Sequence, residues 1–394
     1  MTNDPTGRRK PETEAVHRGE GAPVGAAPLT TPIYATTTFR FDSTADFQRY
    51  LGGDAERYIY SRYANPTIQT AEAKLAALEG AEAALVLSSG QAATTTALFG
   101  LLASGDELVV SSASYGGTLH LVGDHLSRFG VGVRYASTDE LARPESLLTA
   151  RTRVLWCESP TNPTLRCVDL ARVASTCRAA GVVSVVDNTF ASPINQRPVT
   201  LGIDLVMHSA TKYLNGHSDV TAGALAGGRT LIDRLWGARK LMGGVLDPMA
   251  AHALSRGLKT LPVRVERHNE NARRVAEWLE ASSLVARVFY PGLPSHPDHE
   301  LARRQMTGFG GMVCFEARGG FEGACRFYDR ISLIQRAASL GGVESLCSLP
   351  VLTSQYGLSD EQLAAAGVTR GMVRLSIGLE HVDDLLADLA QALG

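Results

Sequence analysis

The sequence has no Cys-x-x-Cys pair, no apolar run near the roughly 20 residues that span a bilayer, and no excess of either charge. Its six cysteines (Cys157, Cys167, Cys177, Cys314, Cys325, Cys347) are scattered, which argues against a disulfide framework or zinc site and suits reduced, mostly buried thiols. With 38 Lys and Arg against 40 Asp and Glu, the chain offers no basic face for nucleic acid and no polybasic stretch for a membrane. The opening segment MTNDPTGRRKPETEAVHRG lacks the hydrophobic core of a signal peptide, so the cytoplasm is the expected compartment. No Gly-x-Gly-x-x-Gly follows a strand-like run, which sets aside a dinucleotide-binding dehydrogenase. No metal is expected either: His296 and His299 in SHPDHE lack a His-Glu-x-x-His arrangement and read as a solvated loop.

What the sequence does contain is alternation. At 394 residues it exceeds one comfortable hydrophobic core, and 44% apolar residues suit a globular protein with a large domain and a smaller one. Residues 1 to about 25, rich in Pro, Gly and charge, read as a flexible tail or an arm ordered only against a partner. From residue 66 an apolar run, a polar or Gly-rich turn and a helical segment repeat through AALVLSSG, DELVVSSASYGGT, TRVLWCESPTNP, GVVSVVDNTF and IDLVMHSATKY. Apolar strands alternating with helices indicate an α/β fold whose mostly parallel sheet has helices on both faces. Ligands of such sheets bind beyond the carboxyl ends of the strands, so the polar turns should converge on one crevice. Beyond about residue 257, RVERHNENARRVAEWLEASSLVARVFY reads as a long amphipathic helix, GMVCFEA and GMVRLSIG as strands, and EHVDDLLADLAQAL as a closing helix.

The turns pose a chemical question. Lys212, in HSATKYLNGHSDV, follows a small polar triplet at the end of an apolar run, although lysine avoids burial unless paired or neutralised. Upstream, SSGQA places Gly90 and Gln91 where a strand turns into a helix, so free N–H groups and the helix dipole could hold a phosphate. A plain helix cap is the ordinary alternative. DNTF ends an apolar strand on Asp187, and Ser209 and Thr211 set hydroxyls beside Lys212. A lysine nucleophile, an acid able to pair with a pyridinium nitrogen and a phosphate cradle are together the components of a pyridoxal phosphate site.

Eight ordered stretches, YSRYANPT, SSGQAA, YGGT, ESPTNPT, VVDNTF, HSATKYLNGHSDV, SLGGVESL and VRLSIGLE, resemble the Cys/Met-metabolism family of pyridoxal-phosphate enzymes. That family includes cystathionine γ-synthase, cystathionine γ-lyase, methionine γ-lyase and the O-acylhomoserine sulfhydrylases. The resemblance, which runs from TTPIYATTTF to the C-terminus, implies the type I pyridoxal-phosphate-dependent transferase fold with a smaller α+β C-terminal domain. It implies pyridoxal 5′-phosphate as cofactor and γ-elimination or γ-replacement on a sulfur amino acid or homoserine ester, of the cystathionine γ-lyase/γ-synthase type.

By the same resemblance, Lys212 would carry the cofactor and move protons, Asp187 would pair with the ring nitrogen, and Tyr115 would stack on the ring and handle a proton in catalysis, so that these three are the expected catalytic residues. Gly90, Gln91, Ser209 and Thr211 would hold the phosphate, joined by Tyr60 and Arg62 of a neighbouring subunit. Asn162 would bond the ring hydroxyl or the substrate carboxylate, which Ser339 and Arg374 would clamp. A site shared in this way implies a homotetramer of two dimers. The expected division is an arm over 1–65 contacting the neighbour, a cofactor-binding domain over 66–256 and a C-terminal domain over 257–394.

Each of these residues alone has a blander reading. Tyr115 would be a packed turn aromatic, Asn162 a turn former between prolines, Arg374 an edge-strand ion pair, Ser339 a cap, and Tyr60 and Arg62 surface loop. Departures from the family pattern bear on substrate. Gly117 stands where methionine γ-lyases typically carry Cys, which argues against a dedicated methionine lyase; Ala338 stands where cystathionine enzymes often carry Glu, which argues against a strict cystathionine enzyme; and Ser354 and Gln355 stand where relatives carry Thr and His. Gln91 replaces a frequent Met, with little effect expected where backbone N–H groups bind the phosphate. O-acylhomoserine sulfhydrylase and methionine γ-lyase are the alternatives within the family. A cofactor-free Schiff-base lyase and a non-catalytic cofactor-binding protein are the alternatives outside it.

Overall fold

The computed structural model describes residues 9–19, 28–53, 57–357 and 359–394. Its larger sheet has seven strands: β1 Ala83–Leu87, β2 Glu107–Ser111, β3 Gly132–Ala136, β4 Thr152–Glu158, β5 Val183–Asp187, β6 Leu205–His208 and β7 Gly223–Gly227. Their order is β1-β7-β6-β5-β4-β2-β3. Strands β3, β2, β4, β5 and β6 run parallel, and β7 runs antiparallel to β6 and β1.

Five of these strands are the apolar runs visible in the sequence. The exception that matters is β7, GALAG, which lacks the bulky residues that mark a strand. Small residues are required there, because a Cβ at Gly223 would lie 2.0 Å from the Ser89 carbonyl oxygen and one at Gly227 would lie 2.5 Å from that of Asp204.

Apolar side chains leave both faces of the sheet. On one face Leu85, Leu108, Val154, Trp156, Val185 and Leu205 pack with the helices Gly90–Leu101 and Arg229–Met242. On the other, Val109, Leu155, Val186 and Val206 cover the helix Leu170–Ala180, while Val86 and Ala224 meet the helices Pro66–Glu79 and Pro248–Lys259. Burial on both sides explains why these strands read as unbroken apolar runs rather than as alternation.

A second sheet, ordered β10-β11-β12-β9-β8, comprises β8 Val285–Phe289, β9 Met312–Ala317, β10 Gln335–Arg336, β11 Leu346–Ser348 and β12 Met372–Ser376. Only the short β10/β11 pair is parallel. Its apolar core is closed by the helices Leu261–Ala281, Gly320–Arg330 and Val382–Leu393.

Two expectations are corrected. The long amphipathic stretch is helix only to Ala281, where Ser282 adopts extended backbone; Val285–Phe289 then joins β9 as an antiparallel strand. Of the N-terminal tail, residues 1–8 and 20–27 lie outside the described residues, but Pro11–His17 is a helix. Ala15 is fully buried, and the Lys74 ammonium donates to the carbonyls of Ala15 and Val16, tying this helix to its own chain. Among the described residues no helix is long and apolar enough to cross a membrane. Five of the six cysteines are buried and all six are free thiols.

Candidate active site

A cavity of about 540 Å³ opens between the two sheets at the carboxyl ends of the parallel strands. Gly90, Gln91, Tyr115, Asn162, Asp187, Ser209, Thr211, Lys212, Ser339 and Arg374 all line it. Tyr60 and Arg62 do not. Tyr60 is 40% exposed, and the Arg62 guanidinium donates to the Lys240 carbonyl and lies over the rings of Tyr60 and Tyr63.

Lys212 sits in a tight turn after β6, where its N–H donates to the Ser209 carbonyl at 3.1 Å and that of Thr211 to the Ala222 carbonyl at 3.1 Å. The Lys212 Nζ reaches across to the second sheet's side and donates to Ser339 Oγ at 2.9 Å. Burial, and then the positive charge of Arg374, push this amine below the usual lysine range. Both effects favour the neutral amine, which is the nucleophilic form.

The phosphate end of the cavity is built from a helix start. Ser89 caps the helix Gly90–Leu101 by accepting from the Ala92 N–H, so the amides of Gly90 and Gln91 remain for a ligand. Glycine is needed at position 90 because the β6 turn approaches closely: an added Cβ would lie 3.0 Å from Ser209 Cβ and 3.1 Å from its Oγ. The Thr211 hydroxyl exchanges hydrogen bonds with the backbone of Ala222, so it holds the turn while lining the cavity.

At the opposite end Asp187 terminates β5 and is 6% exposed. Its Oδ1 accepts from the Thr189 N–H at 3.0 Å and hydroxyl at 2.5 Å, whereas Oδ2 takes no partner among the described residues. Burial raises this carboxyl above its ordinary range, opposed by the two Thr189 bonds. A cation at Oδ2 would restore the ionised form, as a pyridinium nitrogen does. An acid, an amine and a helix N-terminus along one cavity therefore fit pyridoxal phosphate in ring nitrogen, aldehyde carbon and phosphate.

The remaining wall suits a carboxylate. Arg374 is central in its sheet, with β11 and β9 as neighbours, and is 6% exposed, so the edge-strand ion pair is excluded. It donates to Asn162 Oδ1 at 3.1 Å and to the Ser339 carbonyl at 3.4 Å. Burial holds this guanidinium below the usual arginine range. A buried cation bonded only to neutral groups attracts an anion. Asn162 lies in a turn with cis peptide bonds at Ser159–Pro160 and Asn162–Pro163. Tyr115, at 48% exposure, is not packed in the core.

Thr189 and Glu158 are among the cavity-lining residues that the sequence did not single out. Thr189 bonds Asp187 and also accepts from the Ser209 N–H, linking β5 to the lysine turn. Glu158, 4% exposed, lies beside Asp187. One expectation fails: the SHPDHE loop is not solvated at His296, which is 4% exposed and bonds the Thr164 carbonyl. The loop is drawn onto the large sheet's side because Asp298 accepts from Arg166 Nε at 2.6 Å and from the Cys167 N–H at 2.9 Å.

Comparison with known proteins agrees with this chemistry. Residues 12–394 match the family of Cys/Met metabolism PLP-dependent enzymes. An L-methionine gamma-lyase of Pseudomonas putida is 43% identical over 97% of this chain and 96% of its own. A chloroplastic cystathionine gamma-synthase of Arabidopsis thaliana is 41% identical over 96% of this chain and 68% of its own. The crystal structure of metB from Corynebacterium glutamicum superposes with a TM-score of 0.92 at 38% identity, covering 99% of both chains. The chain belongs to the Cys/Met-metabolism family and is a pyridoxal-phosphate-dependent enzyme.

Proposed function

We propose that this enzyme eliminates or replaces the γ-substituent of an amino acid whose distal end carries no ammonium, either a thioether such as methionine or an O-acylhomoserine ester. One observation carries the reading. Glu158 and Asp187 are the cavity's only carboxylates among the described residues and both are buried, while Ala338, Leu352 and Thr353 line it elsewhere. A distal ammonium such as that of cystathionine meets no opposite charge there, and an unpaired charge in a cavity is unfavourable.

Bound pyridoxal phosphate supplies the electron sink that acidifies the protons at Cα and Cβ. Lys212, whose Nζ donates to Ser339 and whose burial shifts it towards the neutral amine, would take and return those protons. Asp187 keeps the ring nitrogen protonated, and Arg374 with Asn162 orients the substrate carboxylate through a planar fork. Gly90, Gln91 and Ser209 would hold the phosphate, and Tyr115 would lie against the ring.

Tyr60 and Arg62 complete the phosphate site of a neighbouring subunit, which supports a homotetramer of site-sharing dimers. Both stand outside their own cavity, and Leu241 and Met242, beside the Lys240 carbonyl that Arg62 holds, expose apolar surface at 82% and 44%. In this reading residues 1–65 reach the neighbouring subunit through Tyr60 and Arg62, although the helix Pro11–His17 packs on its own chain, with 66–256 as the cofactor domain and 257–394 as the C-terminal domain of a cytoplasmic enzyme.

The test is α-keto acid release from purified, cofactor-loaded protein given L-methionine, an O-acylhomoserine or L-cystathionine, with Lys212→Ala as blank. Methionine or the ester should exceed cystathionine by about tenfold or more in kcat/KM, and a preference for cystathionine overturns the reading.

A further inference from the structure

Glu158 closes β4 in register with Asp187, the last residue of β5. Residues in register on parallel strands face the same side of a sheet, so both carboxyls stand on one face beyond the paired Trp156 and Val185. Glu158 is 4% exposed and makes no salt bridge among the described residues. Its Oε2 accepts from the Tyr115 N–H at 2.8 Å, and the Asn162 backbone is near enough to favour the ionised carboxyl slightly. The sequence stretch ESPTNP conceals this role, because the glutamate's partner lies 43 residues upstream.

Tyr115 needs such an anchor. It precedes the short helix Gly116–His120 with no side-chain cap, and its ring is half exposed. The ring folds back over residue 117, where an added Cβ would lie 2.6 Å from Tyr115 Cε1. Gln91 Nε2 donates to the Gly117 carbonyl at 2.9 Å, which ties the same loop to the phosphate helix. Asn162, four residues beyond Glu158 in the same turn, accepts from Arg374.

We propose that Glu158 is a positioning residue for the reaction: by holding the Tyr115 amide it fixes the aromatic wall of the cavity relative to Asp187 and to the Asn162–Arg374 clamp. The task requires an acceptor at the right reach rather than a negative charge. Burial first, then the charge of Asp187, raises the Glu158 pKa well above the carboxylate range, while the Tyr115 N–H bond and then Arg374 act the other way. Two carboxyls one strand apart in a buried site do not both ionise readily, and Asp187 is the one that faces a cationic ring nitrogen.

The proposal rests on the pyridoxal phosphate site but not on the choice of substrate. Its test compares Glu158→Gln, Glu158→Asp and Glu158→Ala in the full-length enzyme. The glutamine keeps the acceptor and its reach and should stay within about threefold of the parent, whereas the aspartate keeps an ionisable carboxyl but falls short and should lose about thirtyfold or more in kcat/KM. The alanine should match the aspartate.

Two readouts need no substrate. Induced circular dichroism of the bound cofactor should change in the Asp and Ala variants and not in Gln, and the cofactor's dissociation constant from the apoprotein should rise about tenfold in the same two. If the alanine variant fails to fold, the order of Gln against Asp decides. Aspartate outperforming glutamine, or all three behaving as the parent in every readout, overturns the proposal. Because dichroism and cofactor affinity are read without turnover, a wrong substrate assignment leaves this result intact.

Discussion

The two sheets deliver side chains to the cavity in different ways. The large sheet delivers them at strand ends: Gly90 follows β1, Tyr115 follows β2, Glu158 and Asp187 close β4 and β5, and Lys212 follows β6. The second sheet delivers Arg374 from the middle of β12, and Ser339 from the loop between β10 and β11. Parallel strands all turn at the same edge, so their chain order lists the cavity's components. Antiparallel strands turn at alternate edges, so chain order does not mark which of their residues face the cavity, and only tertiary packing chooses them. In the proposed mechanism the division also has a chemical side, with cofactor-holding groups on the large sheet and, apart from Asn162, substrate-holding groups on the second.

The most severe way to break the large sheet's contribution is Lys212→Ala, which should lower turnover by about a thousandfold or more and abolish the cofactor's protein-bound absorption. Asp187→Asn and Arg374→Lys sharpen the division between sheets. The first should lower kcat by about a hundredfold with substrate KM little changed, because it removes the ring nitrogen's counter-charge. The second keeps a cation but loses the fork, and should raise substrate KM by about thirtyfold while cofactor absorption is retained. A reversed pattern in steady-state kinetics would erase the proposed division of labour.

A smaller effect is expected at the cavity's uncharged wall. Ala338→Glu should improve kcat/KM for L-cystathionine by about tenfold while lowering that for methionine, measured by 2-oxobutanoate release. The smallest concerns the junction of the second sheet. His268, on the helix Leu261–Ala281, bonds the Ile377 carbonyl at 2.6 Å, and burial lowers its pKa from 6.5 to about 4. The unfolded chain therefore binds a proton first as pH falls. Stability from neutral His268 is fully present above about pH 6.5 and is lost progressively towards pH 4. Thermal unfolding of the parent should fall by a few degrees more than that of His268→Asn between pH 7 and pH 5.

Much of the large sheet was legible because burial on both faces demands continuous apolar runs, and five such runs became β1, β2, β4, β5 and β6. β7 was not, since close backbone approach at Gly223 and Gly227 selects against the residues that advertise a strand. β8 was absorbed into the preceding helix because LVARVF continues its apolar character, and only pairing with β9 makes it a strand. The buried His296 likewise depended on Asp298 reaching Arg166, a contact 132 residues away in the chain.

The sequence by itself determined the cofactor and the class of chemistry, because each of those needs particular residue types in order: a lysine after an apolar run, an acid ending another, and a glycine opening a helix. Only the tertiary structure decided that Ser339 meets the lysine, that Arg374 lies buried against Asn162, that Tyr60 and Arg62 stand apart from their own cavity, and that Glu158 holds the Tyr115 loop. Those facts depend on distance and burial, which arise when segments far apart in the chain exclude water together.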